Sequence, residues 1–250
     1  MSLAGRTVLI TRPVALCAPL AEMLRAEGAL PVTFPVIDIE PLPDALAALP
    51  SAADAADWVI FVSPSAIDCA WPVLGQLAPN VRLACVGVGS ANRLRAMSQR
   101  AVLCPHNGND SAALLAEDAL HDVAGQRILI VGGVGGRAEL GETLKARGAR
   151  IGHAEIYRRV DATLDWSRID TLLKQEGLDA CIVTSSEIAE RFFRLAGSAR
   201  IPALQCLQYC VPHPRIAERL AALGVARIVT TRAGDAALTA GLKEWFSRHP

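Results

Sequence analysis

Residues Thr7–Arg12 read TVLITR, and about 120 residues further on, within the long periods that mark duplicated units, Arg127–Val131 read RILIV. Each centres on a short apolar run, Val8–Ile10 or Ile128–Val131, of the kind that parallel sheets bury on two faces. Each leads into a helical pattern ending in Glu27-Gly28-Ala29 or in Arg147-Gly148-Ala149, and then into an extended run toward Ile39 or Tyr157. The echo spreads outward from there. Asp57–Ser63 (DWVIFVS) returns as Asp179–Ser185 (DACIVTS), and Cys85-Val86-Gly87 returns as Cys210-Val211-Pro212. Gly108-Asn109-Asp110, placed before a helix, returns as Gly234-Asp235 before another. This period exceeds any solenoid unit and marks a duplicated domain. Duplicated α/β domains usually place their chemistry in the cleft between the copies.

Between these anchors, short apolar runs alternate with helical spacing, which is the pattern of parallel α/β construction. It predicts strands over 7–11, 31–34, 57–62, 82–87, 100–104, 127–131, 150–154, 179–184, 205–211 and 226–230. Helices are predicted over 13–27, 64–77, 90–98, 111–121, 137–147, 186–195, 214–223 and 235–248. The fold class that follows is α/β, with two similar doubly wound parallel-sheet domains. Two segments depart from the scheme. Phe34–Pro41 (FPVIDIEP) alternates, and Gly152–Val160 (GHAEIYRRV) is long and charged. Both read as exposed extended segments, and a ribbon joining the domains or a pair of edge strands fits them equally.

Composition narrows the function. The 250 residues carry 25 basic and 25 acidic side chains, so there is no concentrated basic character to suggest a nucleic-acid partner. No apolar run approaches the roughly 18 residues a membrane span needs. The N-terminus enters a strand without a signal-peptide pattern. The seven cysteines form no CxxC, and Cys85, Cys181, Cys206 and Cys210 lie in apolar runs. A cytoplasmic, reduced protein is expected.

In open parallel sheets ligands bind beyond the carboxyl ends of strands. Those positions here are Thr11-Arg12, Ser63-Pro64-Ser65, Gly87–Ser90, Gly132–Arg137, Thr184-Ser185-Ser186, His213-Pro214-Arg215 and Thr230-Thr231-Arg232. Hydroxyls and glycines at helix starts offer backbone N–H groups and the positive end of a helix dipole to an anion. Ser and Thr there can also simply cap the helix. Capping does not call for the accompanying arginines, whereas bidentate recognition of carboxylate or phosphate does. A polyanionic ligand is the sharper reading.

Other chemistries fit less well. Gly132-Gly133-Val134-Gly135-Gly136 lacks the third glycine of a dinucleotide fingerprint, since Ala138 stands there, and Gly87-Val88-Gly89 is likewise incomplete. No P-loop, GxSxG elbow or HExxH occurs. Tyr157 stands out as one of two tyrosines, set on the extended segment among charges rather than in a core run.

At this point the chain resembles the uroporphyrinogen-III synthase family over nearly its full length. The resemblance is carried by VLITRP (8–13), FPVIDIE (34–40), WVIFVSP (58–64), VGVGSA (86–91), GGRAEL (135–140), EIYRR (155–159), TSSE (184–187), HPRIAERLAAL (213–223) and AGDAAL (233–238). It implies two α/β domains joined by a two-stranded β ribbon at 35–41 and 150–159. The first domain would be discontinuous (1–36 plus 160–250), and 40–150 would form the second. It implies closure of linear hydroxymethylbilane to uroporphyrinogen III, with loss of water and inversion of ring D through a spiro intermediate, in haem biosynthesis. No cofactor and no metal are implied. Tyr157 would be catalytic, and the polycarboxylate substrate would be held by Thr11, Arg12, Ser63, Ser65, Gly87, Ser90, Arg137, Ser185, Ser186, His213, Arg215 and Thr230. Ser65 and Gly132 depart from the family pattern, which commonly has asparagine and arginine there. The partners implied are this substrate alone, without nucleic acid or membrane, bound by a monomer that receives it from the bilane-forming enzyme. The competing reading is a non-catalytic two-domain binding protein for a polyanionic small molecule.

Overall fold

The computed structural model describes residues 3–136 and 138–249. The chain begins with β1 (Thr7–Ile10), α1 (Cys17–Ala26), β2 (Leu30–Thr33) and β3 (Ile37–Pro41). It continues through α2 (Pro43–Asp54), β4 (Trp58–Phe61), α3 (Pro64–Leu74), β5 (Arg82–Cys85), α4 (Val88–Ser98), β6 (Val102–Leu103) and α5 (Ser111–Leu115). Then come β7 (Arg127–Gly133), α6 (Glu139–Ala146), β8 (Arg150–Asp161), α7 (Ser167–Lys174), β9 (Ala180–Ile182), α8 (Ser186–Ala196) and α9 (Ile201–Gln205). The chain closes with β10 (Gln208–Val211), α10 (Pro214–Ala222), β11 (Ile228–Thr230) and α11 (Asp235–Arg248). Two compact units result, one of Met1–Asp38 with Val160–Pro250 and one of Ile39–Arg159.

The first unit is built on a parallel sheet in the order β11-β10-β9-β1-β2. Its three central strands are buried at every residue, which is why their sequences are mostly apolar without alternation, with Thr7 and Gln208 the polar exceptions at the strand starts. Leu20 and Leu24 of α1 and Leu238, Leu242 and Phe246 of α11 share one core with Val8, Ile10 and Ile182. An aromatic group joins Phe34, Trp166, Phe192, Phe193 and Tyr209. The apolar stripe of α8 (Ile188, Ala189, Phe192, Phe193, Ala196) supplies two of these rings at the spacing of one helix face.

The second unit has the sheet order β3-β8-β7-β4-β5-β6. Setting β3 aside, β7 and β8 take the places that β1 and β2 hold in the first unit, and β4, β5 and β6 those of β9, β10 and β11. The duplication read from sequence is thus a duplication of sheet order, entered at a different strand. β3 is antiparallel to β8, because the Leu42 N–H donates to the Ile156 carbonyl at 2.9 Å while the Ala162 N–H donates to the Val36 carbonyl at 3.3 Å. The charge and length of Gly152–Val160 now have a cause. The first part of β8 pairs with β7, and the last part runs on beside β3 where the chain passes from one unit to the other. β3 is the edge strand of this sheet, and β8 lies between it and β7.

Helices α2, α7 and α9 are additions to the predicted set. Pro50 lies inside α2 and removes one helical hydrogen bond, which disguises the pattern; Pro43 at its first turn is harmless because that N–H has no helical partner. The strand expected over 100–104 shrinks to two residues at the sheet edge.

Candidate functional site

In the second unit β7 and β4 are neighbours whose following helices lead to opposite ends of the sheet, so their carboxyl ends form the switch point where open α/β sheets bind ligands. Val62-Ser63 follows β4 there, and Gly132-Gly133 closes β7. Tyr157 reaches the same point from β8. It was expected on an exposed segment, and the structure corrects this: Tyr157 is 2% exposed and belongs to the unit's core. The cause is an irregularity in the β7–β8 ladder. Gly132 pairs with Glu155 but Gly133 pairs with Tyr157, so β8 carries one extra residue, and such bulges re-aim a side chain. The Tyr157 Oη then lies 3.0 Å from Ser63 Oγ.

Ser63 holds two positions at once. Its Oγ accepts from the Ala66 N–H at 3.0 Å, capping α3, and keeps its own proton for a second bond. If Ser63 donates to the phenol oxygen, the phenol proton is free to point at a ligand. Arg159 sets its guanidinium 6.0 Å from the Tyr157 ring centre.

The glycine loop after β7 is tied to β8 rather than open to a phosphate. The Val134 N–H donates to the Tyr157 carbonyl at 2.8 Å and the Gly135 N–H to Glu155 Oε1 at 3.1 Å. Two of its amides are spent, and a carboxylate faces it. Gly135 has φ +73°, a conformation only glycine adopts freely. Arg137, an expected substrate contact, lies outside the described residues. Ser65 and Ser90 are buried in the first turns of α3 and α4. Gly87 caps α4 with extended backbone, and the neighbouring Val88 N–H is taken by Asn109 Oδ1 at 3.0 Å. Sequence reading passed over Asn109 as a site residue, although the Gly108-Asn109-Asp110 repeat had marked its loop.

The first unit has its own strand-end group. Thr11 is fully buried and donates to the Ile182 carbonyl at 2.9 Å, crossing from β1 to β9. Arg12 is not a bare cation. Its two terminal nitrogens grip both oxygens of Asp235 at 2.7 and 2.9 Å, while its buried Nε has no hydrogen-bond partner among the described residues. Beside it, burial pushes the Cys17 thiol pKa up against the lowering effect of Arg12. Ser185 caps α8 by accepting from the Ile188 N–H at 3.1 Å, and the Ser186 hydroxyl is buried without a partner among the described residues. His213 caps α10, its Nδ1 accepting from the Arg215 N–H at 3.1 Å, which fixes the neutral ring's proton on Nε2. Arg215 and Thr230 are exposed, and the Arg215 guanidinium pairs with no carboxylate among the described residues. Both units thus present capped helix starts and hydroxyls at their strand ends. Among the described residues no group of three His, Cys, Asp or Glu side chains is placed to hold a metal ion.

Comparison with known proteins gives this arrangement a family. A family model described as Uroporphyrinogen-III synthase HemD matches residues 18–240. The uroporphyrinogen-III synthase of Salmonella typhimurium is 33% identical over 205 residues, covering 76% of this chain and 79% of that protein. That of Escherichia coli is 29% identical over the same shares. In fold, the chain is similar to uroporphyrinogen-III synthetase from Helicobacter pylori, with a TM-score of 0.61 at 14% identity over 97% of this chain and 99% of the other. A mutant uroporphyrinogen III synthase from Thermus thermophilus gives 0.58 at 18% identity over the same shares. The chain belongs to the uroporphyrinogen-III synthase family.

Proposed function

We infer that the chain performs its family's reaction: it closes linear hydroxymethylbilane to uroporphyrinogen III, releasing water and inverting ring D, in tetrapyrrole biosynthesis. The match of the family model to residues 18–240 carries this reading, and it displaces the non-catalytic binding protein. The strand-end chemistry supports it. The substrate bears eight carboxylates, and the positive ends of helix dipoles, the strand-end hydroxyls and the Arg215 guanidinium, which pairs with no carboxylate among the described residues, suit them.

In this reading Tyr157 donates its phenol proton to the departing hydroxyl, which leaves as water. The electron pair of the ring A pyrrole expels it, so the protein need not supply a strong nucleophile. Ser63 orients the phenol oxygen from 3.0 Å and can stabilise it as it loses its proton. Ring D then attacks through its substituted carbon, and the spiro intermediate rearranges and closes. The protein's part is to hold the bilane in the reactive fold and keep water from the cation. Ser65, Gly87, Ser90, Arg137, Ser185, Ser186, His213, Arg215 and Thr230 are read as carboxylate contacts. Thr11 and Arg12 act from behind them, since their polar atoms are engaged with Ile182 and Asp235. We also read the chain as a cytoplasmic monomer that takes the bilane from the enzyme that forms it. No helix among the described residues is long and apolar enough to cross a membrane.

The test is an isomer assay. Bilane left alone closes to the type I product, so purified protein is expected to divert it to type III. Type I product alone, formed at the uncatalysed rate, would refute the assignment.

A further inference from the structure

The Gly132-Gly133 pair has no conformational reason to be glycine. Neither residue has a positive φ, and both lie in the extended backbone of β7, which any L residue can adopt. What the positions lack is room. A Cβ on Gly133 would stand 2.5 Å from Cε2, 2.6 Å from Cζ and 3.1 Å from Cδ2 of Tyr157. A Cβ on Gly132 would stand 2.7 Å from Cγ2 of Val62, the residue before Ser63. Carbon atoms in contact rest about 3.5–4.0 Å apart, so either methyl would push its neighbour by roughly 1 Å. The Tyr157 ring cannot yield cheaply, because it is buried and its strand is held by the bulge and by the Val134–Tyr157 backbone bond.

We propose that Gly132 and Gly133 are positioning residues for the reaction: their two empty Cβ sites let β4, β7 and β8 close up so that Tyr157 Oη and Ser63 Oγ meet at 3.0 Å. Gly133 sets the ring, and Gly132 sets the strand end that carries Ser63. The pair is a slot for a tyrosine and not a phosphate cradle, as the spent amides of the loop already indicate. This rests on the reading of Tyr157 as the proton donor.

The test compares steady-state kinetics of Gly133→Ala, Tyr157→Phe and the double variant with hydroxymethylbilane. A displacement of about 1 Å at reacting groups can cost on the order of a hundredfold. Gly133→Ala is expected to lower kcat about tenfold to a hundredfold with KM nearly unchanged, and to add less than about twofold in the Tyr157→Phe background, where the group it positions is gone. Gly132→Ala is expected to lose turnover and Val62→Ala in the same chain to restore it, since the new methyl then fills the space of the lost Cγ2. This second pair decides the matter if Gly133→Ala does not fold. Wild-type kcat in Gly133→Ala while Tyr157→Phe is impaired, an equal loss in both backgrounds, or no rescue by Val62→Ala would overturn the proposal and leave the site reading intact. Wild-type turnover by Tyr157→Phe would instead overturn the site reading, and this proposal with it.

Discussion

Asp235→Asn separates bracing from binding at the first unit's strand ends. The substitution keeps the shape of the side chain and leaves the Arg12 cation without its counter-charge. Only 10% of the Arg12 side chain and 23% of the Asp235 side chain are exposed, and the two bonds between them are 2.7 and 2.9 Å long. Exposed pairs contribute about 0–1 kcal/mol, and removing one partner of a fully buried pair costs about 3–5 kcal/mol. This pair lies toward the buried end, and the buried Arg12 Nε has no hydrogen-bond partner among the described residues to offset the loss. A loss of about 2–3 kcal/mol is therefore expected. For a chain of this size each kcal/mol moves Tm by about 2–4 °C, so calorimetry should record a drop of about 4–12 °C. Arg12→Met combined with Asp235→Leu should lose less than Asp235→Asn alone, because no charge is then stranded. In steady-state assays below the melting range, KM for the bilane should stay close to wild type. An unchanged Tm together with a KM raised tenfold or more would refute the reasoning and make Arg12 a substrate contact.

Three other outcomes are expected. Tyr157→Phe should lower kcat by about a hundredfold, the low end for general acid help, while KM and the type III selectivity of the residual product hold; normal turnover in Tyr157→Phe beside a melting loss in Tyr157→Ala would make the side chain a packing element. Arg215→Ala, at an exposed position, should weaken bilane binding by about 1–3 kcal/mol without lowering Tm, and the deficit should shrink as salt rises; wild-type affinity at low salt would remove Arg215 from the site. The Asp161 carboxyl is held below the usual carboxylate range, first by its hydrogen bond to Arg194 and also by Arg191. Its folded pKa lies below its unfolded one, so its contribution to stability is present above the ordinary carboxylate pKa and fades as pH falls through the folded value. Asp161→Asn should accordingly flatten the acid side of the stability profile, and an unchanged acid limb would show the pairs to be of no consequence.

What the sequence determined by itself is what neighbouring residues decide together. Short apolar runs such as Val8–Ile10 and Trp58–Phe61, flanked by Pro13 and Pro64, read as buried strands, and the spacing in α11 reads as a helix, because run length and period are local properties. The repeat then carried the duplicated sheets and the strand-end positions, and Ser63, Ser185 and His213 do sit at helix starts. Tertiary structure decided what those side chains touch. Arg12 meets Asp235 across 223 residues of chain, and no local pattern distinguishes a braced arginine from a waiting one. Tyr157 looked exposed because it stands among Glu155, Arg158 and Arg159, yet one extra residue in the β7–β8 ladder turns its ring into the core. The glycines before Val134 looked like an incomplete phosphate loop, and their meaning is the volume of a ring and a methyl from two other strands. Packing and ion pairing depend on which distant surfaces meet, and that is settled only when the sheet has formed.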